Sequence, residues 1–213
     1  MDVDAPVTPL RAVAEALAAA ATGVAFVAYR ASGAGTLYFA VPCLVLWGGY
    51  LAARYRRQPG LLRQWGLRLD NLRPAAVRCL PFLVGGCIVL GAAGLLRGSL
   101  RLPWSAAAVF VLYPLWGLVQ QLLVQGLVAG NLRRLGLPAP AVIAIAAAAF
   151  ASVHLPDWRL AGMCALAGAV WTGLFLRTPN LLPLAVSHGW LGALAYYWVL
   201  GLDPLTQVAL GGS

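Results

Sequence analysis

Long apolar runs separated by short polar breaks cover almost the whole chain. Along the 213 residues, these runs predict seven helices that approach or reach the length of a bilayer span. They lie at about residues 12–29, 35–53, 75–96, 104–130, 139–155, 160–176 and 181–200. The pattern therefore predicts an all-α, polytopic transmembrane helical bundle of about seven spans. An eighth span or a re-entrant piece would move the C-terminus to the other side.

Composition favours a membrane protein over a soluble domain. Hydrophobic residues make up 62% of the chain, charged residues 10%, and the mean hydropathy is +0.82. Unbroken apolar runs do not fit the alternating strands of a membrane barrel. The four cysteines fall inside predicted spans without CxxC spacing, so we expect free thiols and neither disulfides nor a thiolate zinc site.

Charge is concentrated near the ends of the runs. All 15 basic residues are arginines, and the formal net charge is +9. In a soluble protein this charge would suggest nucleic acid, but at span ends it is better explained by orientation in a bilayer. We therefore expect the lipid bilayer and a membrane protein or peptide as partners, and no nucleic acid. The sequence leaves the oligomeric state open.

The basic loop at residues 54–73 is the main determinant of topology. Leu61, Leu62, Trp65 and Leu69 recur near helical spacing among arginines, which fits either an interfacial amphipathic helix or a plain basic loop. Basic residues near span ends are retained in the cytoplasm, so we expect this loop and the N-terminus inside and the C-terminus outside. Eleven arginines then lie on the cytoplasmic side: Arg11, Arg54, Arg56, Arg57, Arg63, Arg68, Arg73, Arg78, Arg133, Arg134 and Arg177. Four lie opposite: Arg30, Arg97, Arg101 and Arg159.

The chain divides by its polar residues into two parts and a tail. Residues 1–103 form N-terminal helices with the basic loop, residues 104–200 form a core with scattered polar groups, and residues 201–213 form a short tail. The start, Met1-Asp-Val-Asp4, lacks the positive region of a secretory signal, so we expect the first helix to be retained. Short loops and an all-arginine basic composition suit a bacterial inner membrane.

Three amides interrupt the fourth apolar run. A buried amide without a partner costs several kcal/mol, so Gln120, Gln121 and Gln125 are expected to face other helices or a wet cavity. Gln121 and Gln125 share a helix face, and Gln120 lies to one side of it. His154 and His188 on later helices are the candidates to meet them. A single intramembrane histidine is often only a strut between helices, but two histidines beside an amide cluster favour a site.

The order of these residues resembles a known family. Gln120-Gln-Leu-Leu-Val-Gln125-Gly126 resembles the EExxxR-G motif of the CPBP family, the CAAX-type and bacteriocin-processing intramembrane proteases (Abi-like). Phe150-Ala-Ser-Val-His154 matches its FxxxH motif, and His188-Gly-Trp-Leu-Gly192 resembles its HxxxN motif. The resemblance covers about residues 104–200. It implies an intramembrane endopeptidase whose paired glutamates activate water, supported by the arginine, the two histidines and the asparagine.

This chain departs from the family pattern at the charged positions. Both glutamate positions are glutamine, the arginine position is Gln125, and the asparagine position is Gly192. A carboxamide cannot act as a general base as a carboxylate does, so glutamate-dependent hydrolysis should be absent. The chain's single glutamate, Glu15, lies in the first predicted span.

Three functions remain open from the sequence. The first is a CPBP-like scaffold, maturation factor or binding partner for a membrane protein or peptide, with a degenerate protease centre. The second is an active intramembrane endopeptidase using His154 and His188, and the third is an unrelated transport or structural membrane protein. No cofactor is expected. Zinc held by His154 and His188 is an alternative that falls short of the usual three protein ligands of a catalytic site.

Overall fold

The computed structural model describes residues 7–206, and their regular structure is entirely helical. Each of the seven predicted runs is a helix, which confirms the all-α bundle. The helices are α1 (Pro9–Arg30), α2 (Thr36–Arg57), α3 (Leu61–Gln64), α4 (Leu72–Leu96), α5 (Ala106–Gln121), α6 (Gly130–Arg134), α7 (Ala139–Ser152), α8 (Trp158–Arg177) and α9 (Leu181–Leu194). Two π-helical segments, π1 (Leu122–Ala129) and π2 (Ala195–Leu200), continue α5 and α9. The expectation about Met1 to Asp4 and the end of the predicted tail, residues 207–213, lie outside the described residues.

Within residues 7–206, five helices are long and apolar enough to cross a bilayer. They are Pro9–Arg30, Thr36–Arg57, Leu72–Leu96, the continuous helix Ala106–Arg134, and Trp158–Arg177. Ala139–Ser152 is apolar but shorter. The protein is therefore an integral membrane protein built from helices, and the count of about seven spans stays a prediction.

Close packing of α5 against α9 forms the centre of the bundle. A Cβ added to Gly189 would lie 2.5 Å from the Pro114 nitrogen, and one added to Gly117 would lie 2.8 Å from the Ala185 carbonyl oxygen. Only residues without a side chain allow backbones to approach so closely. This contact brings the end of α5 beside the middle of α9, where two of the candidate site residues lie.

The first helix is fixed to the bundle by a buried ion pair. The Glu15 carboxylate accepts hydrogen bonds from Tyr50 Oη (2.7 Å), Arg54 Nε (3.2 Å) and Asn131 Nδ2 (3.1 Å). Glu15 is 3% exposed and Arg54 is 7% exposed. Arg134 extends the network by donating to Asn131 Oδ1 at 2.7 Å. The network therefore joins α1, α2 and α6 at one end of the bundle.

The basic loop contains one helical turn that packs into the bundle. Leu61 and Trp65 are fully buried against Leu127 and Val128, whereas Leu69 is exposed. In an interfacial helix, Leu61 and Trp65 would face lipid. Here both side chains face the protein instead. A Cβ on Gly126 would lie 3.1 Å from the Trp65 carbonyl oxygen, so the glycine of the first motif makes room for this packing.

All four cysteines are free thiols, as expected.

Candidate functional site

The amides lie where α5 passes into π1. Gln121 ends α5, and Gln125 lies one turn later, in the wider π-helical segment. Both side chains are buried, at 2% and 1% exposure, whereas Gln120 is half-buried. π-Helical segments inside helices occur often at functional sites. Two of the three amides are buried where the helix changes from α to π.

Gln121 contacts the histidine of the last motif. Its Nε2 lies 3.4 Å from His188 Nδ1, at the long end of hydrogen-bond distance. An amide N–H can only donate, so in this pairing His188 Nδ1 accepts and its proton lies on Nε2. The structure thus brings together Gln121 and His188 from different helices.

Aromatic rings join the two histidines. The Phe150 ring meets His154 edge-on with centroids 5.1 Å apart and meets His188 in the same way at 5.2 Å. Trp171 stacks on His188 at 4.8 Å, and its Nε1 donates to Ser187 Oγ at 3.1 Å. The histidines therefore lie on the same side of the bundle, separated by one phenylalanine ring.

His154 uses only one of its two ring nitrogens in a hydrogen bond to its own turn. Its Nδ1 lies 2.9 Å from the Phe150 carbonyl oxygen. A carbonyl oxygen can only accept, so Nδ1 carries the proton and Nε2 holds a lone pair. His154 can therefore accept a proton or a hydrogen bond at Nε2.

Two buried amide oxygens of the first motif lack a donor. Within residues 7–206, Gln121 Oε1 and Gln125 Oε1 have no hydrogen-bond partner. Buried polar atoms are nearly always satisfied, so an unpaired acceptor indicates a place for a donor such as water or a ligand N–H. We define the candidate site as Gln121, Phe150, His154, Trp171 and His188, together with Gln125, which lies about one turn beyond Gln121 on the same continuous helix.

The other polar residues of residues 104–200 that lie near this cluster are at its edge or form hydrogen bonds within their own helices. The structure gives Gln120 no hydrogen bond to either histidine within the described chain. A Cβ on Gly192 would meet Tyr113 at 3.4 Å and His188 Cδ2 at 3.9 Å, so this position borders the site. Thr172 and Ser152 donate to carbonyls of their own helices, Gly168 and Ala149.

The residues present do not form a conventional zinc site. Residues 7–206 contain no group of three or more His, Cys, Asp or Glu side chains placed to hold a metal. Two imidazoles with weak amide oxygens fall short of the usual three protein ligands.

Glu15 does not supply the missing carboxylate. Its oxygens already accept three hydrogen bonds, all from residues at the end of the bundle where α2 ends and α6 lies. None of these donors belongs to the candidate site.

Two parts of the site were not predicted from the sequence. The sequence gives no reason to assign Trp171 to the site, because a tryptophan in an apolar run is usually a packing residue. Phe150 is the first position of the FxxxH motif, but the sequence does not indicate that its ring lies between the two histidines. The only signal for Trp171 was a neighbouring polar residue, Thr172.

The same part of the chain matches a known family. Its model is described as Type II CAAX prenyl endopeptidase Rce1-like, and it matches residues 102–194. Residues 102–194 are similar to this family, and we call them the Rce1-like segment. The resemblance to the CPBP family is thereby confirmed, over somewhat less than half of the chain. Comparison with curated proteins and with solved structures gives no match.

The Rce1-like segment includes every residue of the candidate site. It runs from the loop before α5 to the end of α9, and so contains α5 to α9 with π1. The packing of α5 on α9 and the pairing of Gln121 with His188 are therefore features of this segment.

Proposed function

We propose that this protein is an Rce1-like membrane protein whose protease centre has lost its general base, and that it binds a membrane protein or lipidated peptide as a scaffold or maturation partner. The observation that carries the proposal is the pair formed by Gln121 and His188. At a position where the family motif has a glutamate, this chain has Gln121, whose side-chain amide contacts His188.

The chemistry of the amides supports this proposal. A general base must take a proton from water near neutral pH, which a carboxamide does not do. Exchanging Glu, Glu and Arg for three glutamines removes charges of both signs and leaves polar groups of similar size. The site keeps hydrogen-bonding capacity, since two amide oxygens still lack donors.

The surroundings of the histidines support a binding role. Phe150 and Trp171 surround His188 with apolar rings, and a bound N–H group that reached the unpaired amide oxygens would satisfy them. We place the protein in a bacterial inner membrane with the basic end of the bundle in the cytoplasm. A lipidated peptide could then approach from the bilayer without leaving the apolar phase.

An active endopeptidase is the second candidate. It is favoured by the free lone pair on His154 Nε2, because an imidazole can act as a general base near neutral pH. The family description points in the same direction.

Peptide cleavage separates the two candidates. The purified protein in detergent is incubated with a fluorogenic farnesylated CAAX-type peptide, beside the double variant His154→Ala/His188→Ala. We expect both proteins to give the background rate. Cleavage by the wild type that the double variant lacks would establish a working enzyme and overturn the first proposal.

Binding of the same peptide tests the positive part of the proposal. Fluorescence anisotropy should show binding to the wild type and at least tenfold weaker binding to Phe150→Ala, since a ring that lines the site is lost. Phe39→Ala, on α2 against Phe26, is the matched control and should bind like the wild type. Absence of binding to the wild type would contradict a role in recognising lipidated peptides.

Metal content gives a test that needs no substrate. We expect less than one equivalent of zinc, at the same low level in the wild type and in His154→Ala/His188→Ala. One equivalent lost in the double variant would show that the histidines hold a metal, and would favour the hydrolase.

A further inference from the structure

A cavity lined by arginine lies outside the candidate site, where α8 ends. Its volume is about 530 Å³, and it is lined by Arg78, Leu174 and Arg177. Arg78 lies in the second turn of α4, and Arg177 is the last residue of α8. We call it the Arg78–Arg177 cavity.

The structure holds the two helices of this cavity together. Arg78 donates to the Thr178 hydroxyl, which follows directly after α8. The next residue of α4, Cys79, donates from Sγ to the Pro183 carbonyl oxygen of α9 at 3.6 Å. The Arg78 guanidinium is therefore held at the cavity by a partner that carries no charge.

A neighbouring cavity provides an internal comparison. It measures about 460 Å³ and is lined by Arg63, Leu67, Arg68, Leu69, Asp70 and Leu182. Asp70 forms salt bridges with both Arg68 and Arg63. The hydrogen bond from Arg68 has the largest effect, and together the two arginines hold the pKa of Asp70 well below its usual value. A carboxylate that is ionised at neutral pH thus offsets much of the positive charge of this second cavity.

The Arg78–Arg177 cavity has no such compensation. No acidic residue lines it, and within residues 7–206 neither arginine forms a salt bridge. Two guanidinium groups that share a cavity repel each other unless an anion lies between them. The cavity therefore has the charge of an anion site.

The position of the cavity indicates which anion fits. Both arginines lie near the ends of candidate membrane spans, and Leu174 lies about one turn deeper along α8. A ligand with a charged head beside the arginines and an apolar tail beside Leu174 matches this arrangement. Arginine binds phosphate through paired N–H groups, and anionic lipids attract basic residues at the membrane surface.

We propose that the Arg78–Arg177 cavity binds the phosphate of an anionic membrane phospholipid, with the acyl chains directed along α8 past Leu174. The site is separate from the candidate site, so it does not depend on the proposed function.

Native mass spectrometry of the detergent-purified protein measures this binding directly. The protein is titrated with phosphatidylglycerol and, separately, with phosphatidylcholine, whose positive choline group offsets the phosphate. We expect phosphatidylglycerol to bind about tenfold more tightly, and we expect this preference to be lost in Arg78→Gln/Arg177→Gln. The control Arg56→Gln/Arg57→Gln removes two charges from the end of α2, outside both cavities, and should keep the preference.

Three results would overturn the assignment. Equal binding of the two lipids by the wild type would exclude headgroup recognition. An equal loss in the control variant would show attraction to general surface charge. Full displacement of phosphatidylglycerol by inorganic phosphate at equal concentration would assign the site to a free phosphate.

A single substitution keeps the test valid if the double variant does not fold. Arg177 is exposed, so Arg177→Gln should elute and unfold like the wild type. It should still lower phosphatidylglycerol affinity about tenfold, and unchanged affinity would contradict the proposal.

Discussion

At the residue scale, Glu15 is the position where a change of one atom should matter most for stability. Its carboxylate is the only acidic partner of Arg54 in residues 7–206, and both groups are buried. Removing one partner of a buried pair leaves an uncompensated charge, which costs about 3–5 kcal/mol. We expect Glu15→Gln to lower the unfolding temperature of the detergent-solubilised protein markedly.

The double variant Glu15→Gln/Arg54→Gln is the control for this prediction. It removes both charges and keeps a polar amide at each position, so it should recover much of the lost stability. An unfolding temperature of Glu15→Gln equal to that of the wild type would contradict the role of the ion pair.

The sequence indicates which residues are polar but not which partners they meet. Gln121 and His188 could be selected because polar groups are rare in apolar runs and costly at membrane depth. Glu15 was noticed for the same reason, yet Asn131 lies 116 positions away and carries no signal that they pair. The stacking of Trp171 on His188 likewise depends on how α8 and α9 pack.

At the element scale, the α5 and α9 contact decides whether the site forms. An added methyl group at Gly189 would lie within 2.8 Å of Pro114 Cα and of the Tyr113 carbonyl carbon. Backbone atoms cannot move aside as a flexible side chain can, so the helices must separate. We expect Gly189→Ala to destabilise the protein by about 1–3 kcal/mol, the usual range for overpacking, and to weaken peptide binding.

Gly85→Ala on α4 is the matched control for Gly189→Ala. No atom lies within 4 Å of the added Cβ at Gly85, and alanine favours a helix over glycine by about 1 kcal/mol. Thermal unfolding of this variant should therefore occur at or above the wild-type temperature. An equal loss of stability in both variants would show that close approach at Gly189 is not the cause.

Helix positions followed from hydropathy, but local backbone form did not. The seven apolar runs became helices because spanning segments must satisfy their backbone groups internally. The ends moved outward where polar residues continue the helix, so that α2 extends to Arg57. The π-helical turns of π1 have the same hydrophobic pattern as an α-helix, and hydropathy does not distinguish the two.

At the scale of the whole molecule, several polar connections fasten the N-terminal part to the Rce1-like segment, and two of them depend on the buried residues Asn131 and Asn180. One is the Glu15 network, which reaches Asn131 of α6. The other is at the loop before α9, where Asn180 Nδ2 donates to the Arg68 carbonyl oxygen and to Asn71 Oδ1, both at 2.8 Å. Sequence could not predict the second connection, since asparagines in loops usually cap helices or form turns.

Asn180 should therefore control the mobility of the basic segment. It is 1% exposed, and its Oδ1 also caps α9 by accepting from Leu182 N. In Asn180→Ala, residues 61–71 lose two side-chain hydrogen bonds that hold them to the α8–α9 loop. Each such bond contributes about 0.5–1.5 kcal/mol, so amide hydrogen exchange in this segment should become about tenfold faster.

The variant Asp157→Ala distinguishes the effect of losing a helix cap from the effect of losing the Asn180 hydrogen bonds to residues 61–71. Asp157 caps α8 by accepting from Arg159 N and Leu160 N, at the opposite end of that helix. This variant should accelerate exchange near the start of α8 and leave residues 61–71 unchanged. Equal acceleration of residues 61–71 in both variants would mean that the segment responds to general loosening of the bundle. Acceleration in Asn180→Ala alone would mean that one asparagine keeps the basic segment, with Arg63 and Arg68, docked on the Rce1-like helices.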